Sequence, residues 1–267
     1  MNQIKIRNNL NLVVNILDIS ALLAWGILFL KYWFTGQLRL LIHPNYFLLV
    51  LITGLIFIFI SLIRIWKFWQ ELHFSQIARK LDHLNLLPQG WSSGLLLITA
   101  ILGLSIEPSI LTSQAALQRG VSDSLPLTRE QPQAFRTSSK PEDRTLIEWV
   151  RTLNAYPEPD NYEGQQAKIS GFVVYIEEFP ENYLYLSRFI LTCCAVDAYP
   201  VGIPVKLPQP RTNYPLDSWL EVEGEMITES LPNFSDRDSA NQTNKRQLVL
   251  KARSLKPIPT PKDPYGY

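Results

Sequence analysis

The sequence predicts a chain in two parts: three transmembrane helices, then an all-β domain folded as an OB-like five-stranded barrel. Three observations carry this reading. Residues 46–63, YFLLVLITGLIFIFISLI, form an uncharged apolar run that approaches the ~20 residues a spanning helix needs. Charge divides the chain as sharply: residues 1–119 are net +5 and residues 120–267 net −4, within a total of +1. Between residues 166 and 255, finally, five short segments alternate apolar with polar and are separated by turn formers, the signature of a small sandwich or barrel. A mean hydropathy of +0.01 hides this division.

Residues 1–112 read as a membrane domain with spans at about 16–34, 46–63 and 91–111. The first span carries Asp18 near one end and Lys31 at the other, where a long cationic side chain can reach the interface. No A-x-A-like site follows it, so it reads as a retained helix and not a cleaved leader. Apart from Glu107 at the third span's end, Asp18 is the one carboxylate inside a span. Such groups are functional candidates by default, but its place near the membrane edge favours plain solvation. The third span ends at Glu107-Pro108. Lys5 and Arg7 precede the first span, and Arg64, Lys67, Arg79 and Lys80 follow the second, against only Lys31 and Arg39 between them. The positive-inside rule then places the N-terminus in the cytoplasm and the rear domain outside it. Between the second and third spans, residues 64–87 repeat Trp66, Trp69, Leu72, Phe74, Ile77, Leu81 and Leu84 at helical spacing. This segment reads either as an amphipathic helix on the cytoplasmic leaflet or as the extended end of span two.

Residues 113–141 are polar and read as a linker. The domain at 142–267 opens with a short amphipathic helix, for which Ser139 and Glu142 fit a capping box. Strands follow at 166–176, 183–194, 202–207, 219–227 and 247–255. Gly171 marks a bend or bulge in the first. In the fourth, Leu220, Val222 and Met226 face one way and Glu221, Glu223 and Glu225 the other. Those glutamates form either a cation face or, more simply, the wet side of a strand. An OB-like fold raises nucleic-acid binding, which wants a basic groove with aromatic platforms; the domain is net acidic and, by the topology argument, extracytoplasmic, so no nucleic-acid partner is expected.

All three histidines, His43, His73 and His83, lie in the membrane half. The rear domain therefore lacks Ser-His and Cys-His pairs and any His-Cys zinc set, and no enzymatic activity is expected. The two cysteines, Cys193 and Cys194, are adjacent inside RFILTCCAVDAYPVGIPV. Their Cα atoms are about 3.8 Å apart, shorter than disulfides favour. On a regular strand the thiols point to opposite faces, and only a turn or bulge brings them together. One reading puts one cysteine in the core and the other at a contact; the other is soft-metal or thiol chemistry. Arg188 and Asp197 flank the pair and are expected to form an ion pair across the turn, the alternative being that either serves a partner; the stretch is expected to bend at Pro200 and Gly202. Arg188, Cys193, Cys194 and Asp197 are thus the candidate contact or soft-ion site, with no cofactor implied beyond a possible soft metal ion.

Three spans, a polar link, YPEPDNYEGQQAKISGFV, RFILTCCAVDAYPVGIPV, WLEVEGEM and LKPIPTPKDPYGY together resemble the bacterial family of small permease subunits from two-component membrane permease complexes. The most specific match is Arg188, Phe189, Cys193, Cys194, Ala195, Asp197 and Ala198. The resemblance implies a non-catalytic accessory subunit in the bacterial plasma membrane, partnered by the bilayer and by a multi-span permease encoded nearby. Its outer β-domain would assist gating, substrate capture or assembly. Three spans are too few for the inverted repeats of common transporters. The alternative is a membrane-anchored soft-metal or thiol-sensing module.

Overall fold

The structure is a computed structural model that describes residues 2–73, 90–121, 140–232 and 244–266. The chain divides into two units, Met1–Ser109 and Ile110–Tyr267.

In the N-terminal unit, α1 spans Asn2–Thr35, α2 Phe47–His73 and α3 Trp91–Ser105. Among the described residues, two helices, not three, are long and apolar enough to cross a membrane alone, through Leu12–Thr35 and Pro44–Gln70. The third expected span is a helix of 15 residues, about 22 Å at 1.5 Å per residue, against a hydrocarbon core of about 30 Å. Its helix ends at Ser105, and the chain at Ile106 is extended, just ahead of Glu107-Pro108. The described part of the 64–87 segment continues α2 as far as His73, with Trp66 and Trp69 exposed; the remainder lies outside the described residues.

Helix α1 packs between the other two. It meets α2 at glycines, where a Cβ on Gly26 would lie 2.7 Å from the Ile58 side chain and 3.1 Å from the Gly54 carbonyl. Small residues at such a crossing let backbones approach closely. Toward α3, three α1 side chains donate to backbone carbonyls: Trp25 to Leu96 at 2.9 Å, Lys31 to Leu104 at 2.8 Å and Tyr32 to Gly103 at 2.7 Å. Lys31 therefore does not simply reach for the interface; it meets the carbonyl-rich last turn of α3, where a cation is favoured. Asp18 accepts from the Ser93 hydroxyl and lies 3.8 Å from the Arg64 guanidinium, so it is a satisfied group. The order of these contacts makes α3 run parallel to α1.

In the C-terminal unit, α4 covers Ser113–Arg119 and buries Ser113 and Ala116. The start of the expected linker is thus a packed helix, and residues 122–139 lie outside the described set. Helix α5 (Leu146–Ala155) is capped by Thr145 and Glu148, not by Ser139 and Glu142: the Thr145 hydroxyl accepts from the Glu148 amide, and Glu148 accepts from the Thr145 amide. The sequence repeats the same cap pattern, and the copy next to the apolar run is the one used, because it starts the helix where Leu146, Trp149 and Val150 can be buried.

All five expected strands form, and a short sixth joins them: β1 Gln166–Val174, β2 Tyr183–Ile190, β3 Tyr199–Lys206, β4 Trp219–Pro232, β5 Asn244–Ile258 and β6 Tyr265–Gly266. They make one six-stranded sheet in the order β1-β4-β5-β3-β2-β6, with β1 also pairing β2. Strands β3 and β5 are parallel, as are β2 and β6, and the other pairs are antiparallel. The core unites inward residues of all the longer strands with α5: Ile169, Leu186, Ile203, Val222, Leu250 and Trp149 are among those buried.

Strand β1 runs along β4 from Gln166 to Phe172, then along β2 from Phe172 to Val174. Gly171 sits at this hand-over. No register shift occurs at Gly171, the expected bend or bulge, where the strand instead changes partner; the shift lies in the β4–β5 pairing between Glu223 and Gly224, where Arg253 of β5 is the extra residue. A Cβ on Gly171 would lie 2.6 Å from the Ser187 carbonyl oxygen, backbone that cannot yield cheaply. On the glutamate face of β4, Lys168 bridges two of the three carboxylates, its Nζ 3.2 Å from Glu221 and 2.7 Å from Glu223, an arrangement that fits the wet side of a strand. Gly171→Ala is expected to cost about 1–3 kcal/mol, the usual penalty of forcing an extra methyl into packed structure. Thermal unfolding of the full chain in detergent, followed by far-UV circular dichroism, checks this; an unchanged midpoint would contradict the close approach.

Candidate functional site: the Cys193–Cys194 turn

Strand β2 ends at Ile190, which pairs with Tyr199 at the start of β3. The intervening residues therefore form the hairpin loop, and the cysteines lie in it and not on a strand. Pro200 and Gly202, expected to make the bend, are inside β3. There Gly202 serves a close approach, since a Cβ would meet the Leu186 carbonyl at 2.2 Å and the Tyr185 ring at 2.4 Å.

The loop leaves the sheet through Leu191, which is buried and donates its amide to Gly266 of β6 at 3.0 Å. It then folds around Asp197. The Asp197 carboxylate accepts the Cys193 amide at 2.8 Å and the Cys194 amide at 3.1 Å, and the Asp197 amide returns to the Cys194 carbonyl at 3.1 Å. A short acceptor side chain bonding nearby backbone in this way is the local chemistry that makes Asp a turn former. A turn here overrides strand alternation, so the thiols converge: Cys193 Sγ and Cys194 Sγ are 3.7 Å apart, both free, with Cys193 exposed and Cys194 half-buried. The two sulfurs and a carboxylate oxygen of Asp197 all lie within 4.8 Å of one another.

The charges respond to this proximity. The Cys193 thiol is pushed up to about 12, chiefly by its hydrogen bond to Asp197 and then by Cys194. Burial alone would raise the Asp197 carboxyl. Hydrogen bonds from the Cys193 thiol and from the Cys193, Cys194 and Thr192 amides outweigh that and hold it below the usual range. The Cys193 thiol is thus protonated at neutral pH, beside an ionised carboxylate.

Arg188 stands apart from this cluster. Its guanidinium lies 5.3 Å from the Trp219 ring centre and donates to the Ser170 hydroxyl at 3.2 Å, and burial lowers its pKa. The expected ion pair with Asp197 is not made: Arg188 belongs to the β1–β2 seam, while Asp197 is committed to the loop amides. The cation at the turn is Arg119 of α4, which donates to the carbonyls of Ala195 at 3.0 Å and Ala198 at 2.6 Å. Nothing local in SQAALQR points 76 residues ahead, so sequence reasoning left Arg119 in the linker. At the tip of the loop, Val196 is 87% exposed.

Asp197 is stabilising where it is ionised. Its folded pKa is depressed, so its contribution is present above the unfolded value of about 3.9 and is lost as pH falls through the lower folded value. Asp197→Asn is expected to destabilise the unit by about 1 kcal/mol at pH 7, the worth of partly exposed charge-assisted bonds. The difference from wild type should shrink as pH falls through that lower folded value. Denaturant melts of both chains across this range measure it, and a pH-independent difference would remove the carboxylate from the account.

Residues 136–267 match the family model described as the DUF1980 C-terminal domain, an uncharacterised bacterial family. The matched span takes in α5, all six strands and the cysteine turn. No curated protein and no solved structure matches the chain.

Proposed function

We propose that this chain is a membrane-anchored accessory subunit of a two-component permease complex in the bacterial plasma membrane, whose β domain assists gating, substrate capture or assembly. The observation that carries the reading is how the N-terminal unit uses its polar groups. Asp18 is spent on Ser93 and Arg64, and Lys31 on the end of α3. Ionisable groups within spans normally mark substrate or ion paths; here they hold helices together. Meanwhile α2 turns Leu48, Leu49, Ile52, Leu55, Ile56 and Phe59 outward, which suits lipid or another membrane protein. A unit that anchors but has no polar route of its own among its described residues needs a partner to transport anything.

The finer fold follows from the pairings. Each of β1 to β5 has a partner on both sides, and β3–β5 is the one parallel pair among them. This pattern supports a closed OB-like barrel, since closure removes sheet edges. For sidedness, the parallel course of α3 beside α1, from Asp18–Ser93 to Lys31–Leu104, supports a third, short crossing. Together with the positive-inside reading, such a crossing would carry the chain out of the cytoplasm.

A second reading, a membrane-anchored soft-metal or thiol-sensing module, draws on the convergence of Cys193, Cys194 and Asp197.

Co-expression with the permease encoded nearby, followed by detergent extraction and affinity capture, is expected to yield a stable complex; a chain that purifies alone would refute the subunit reading. Sidedness has its own assay, because the only two cysteines both lie in the β domain. A membrane-impermeant maleimide should label intact spheroplasts to the same final extent as permeabilised ones. Labelling only after permeabilisation would place the domain in the cytoplasm.

A further inference from the structure

The distances at the turn discriminate between the chemistries open to two neighbouring thiols. A disulfide requires sulfurs about 2.05 Å apart, and these are 3.7 Å apart. Two thiolates on a tetrahedral ion, each with a metal–sulfur bond of about 2.3 Å, lie about 3.8 Å apart; on a linear two-coordinate ion they would be at about 4.6 Å, twice the bond length. The observed separation matches the tetrahedral case. A third donor is in place, since Asp197 holds an oxygen within 4.8 Å of both sulfurs. Its position is fixed by the two cysteine amides, and a carboxylate has lone pairs left after accepting two hydrogen bonds.

We propose that Cys193 Sγ, Cys194 Sγ and an oxygen of Asp197 form an open three-ligand site for one thiophilic divalent cation of the zinc class, Zn2+ or Cd2+. The proposal specifies the soft-metal reading of the turn and does not depend on a permease partner. Two sulfurs and one oxygen suit a borderline ion, whereas a purely soft monovalent ion favours sulfur alone. Binding is simple coordination: each thiol gives its proton to water as its sulfur–metal bond forms, and nothing is oxidised or reduced. Three protein ligands leave a fourth position for water or an incoming donor, the arrangement of an exchanging site and not of a closed structural one. The site also lies at the surface, with Cys193 exposed. Two thiolates and a carboxylate around a divalent ion leave one net negative charge, on a turn whose carbonyls are held by the Arg119 guanidinium.

The test uses the full chain, reduced and metal-free, in detergent. Titration with Cd2+ is expected to raise the thiolate-to-cadmium charge-transfer absorption to saturation at one ion per chain, and Zn2+ should displace it. Cys193→Ser and Cys194→Ser should each abolish saturation at that stoichiometry. Asp197→Asn should weaken binding by at least the ~10–100-fold that loss of even an outer-shell partner costs. Near-ultraviolet circular dichroism establishes that the variants are folded. For the wild type alone, the 113Cd resonance should fall between those of all-oxygen and all-sulfur sites, which needs no variant. Four results would overturn the proposal: no charge-transfer band, a band unchanged in both serine variants, saturation at one ion per two chains, or insensitivity to Asp197→Asn. Binding of phenylarsine oxide without any cadmium band would also overturn it, while leaving the broader thiol-binding reading standing.

Discussion

Strand β1 has to satisfy two neighbours along one length of chain, β4 through Phe172 and β2 from Phe172 onward. The change of partner is possible only because Gly171 lets the Ser187 backbone come close. Once β2 is fixed against β1, its pairing with β3 follows with Ile190 opposite Tyr199. That register leaves the residues between them as the loop. The position of the thiols is therefore inherited from a strand pairing whose key residue is a glycine some twenty positions upstream.

Features set by local pattern were legible in the sequence, and those set by distant partners were not. The alternation of Leu220, Val222 and Met226 gave β4 its inward face, and all three are buried. The long uncharged run gave α2. By contrast, β6 is two residues long and exists only because Phe189 and Ile190 pair with it. Helix α4 looks like linker until Ser113 and Ala116 are seen to be buried. The cap of α5 is Thr145, next to the apolar run, where starting the helix buries Trp149; Ser139 of the expected cap lies outside the described residues.

The cysteines show the same boundary at finer scale. The apolar run through Leu191 reads as strand, and period-two alternation then separates the sulfurs. What overrides it is Asp197, three and four residues along, whose carboxylate takes both cysteine amides that a continuing strand would have paired elsewhere. The sequence contained that acceptor, but its expected partner, Arg188, drew attention across the bend and not back along the loop. A guanidinium stacked on Trp219 has little reason to leave it for a carboxylate already satisfied by amides.

The turn is held by backbone groups and by charges other than the thiols. Gly266 fixes Leu191, Arg119 fixes Ala195 and Ala198, and Asp197 fixes the amides of Cys193 and Cys194. None of these bonds requires a sulfur. If the cysteines served the fold as small core hydrophobes, their burial would be the feature to find; instead one is exposed and the other only half-buried. A loop that spends an arginine, a carboxylate and a terminal strand to bring two unburied sulfurs within 3.7 Å has left both free for something outside the chain. The backbone bonds that shape the turn involve neither sulfur, so an incoming cation has to displace only the Cys193 thiol's own hydrogen bond to Asp197 and its contact with Cys194.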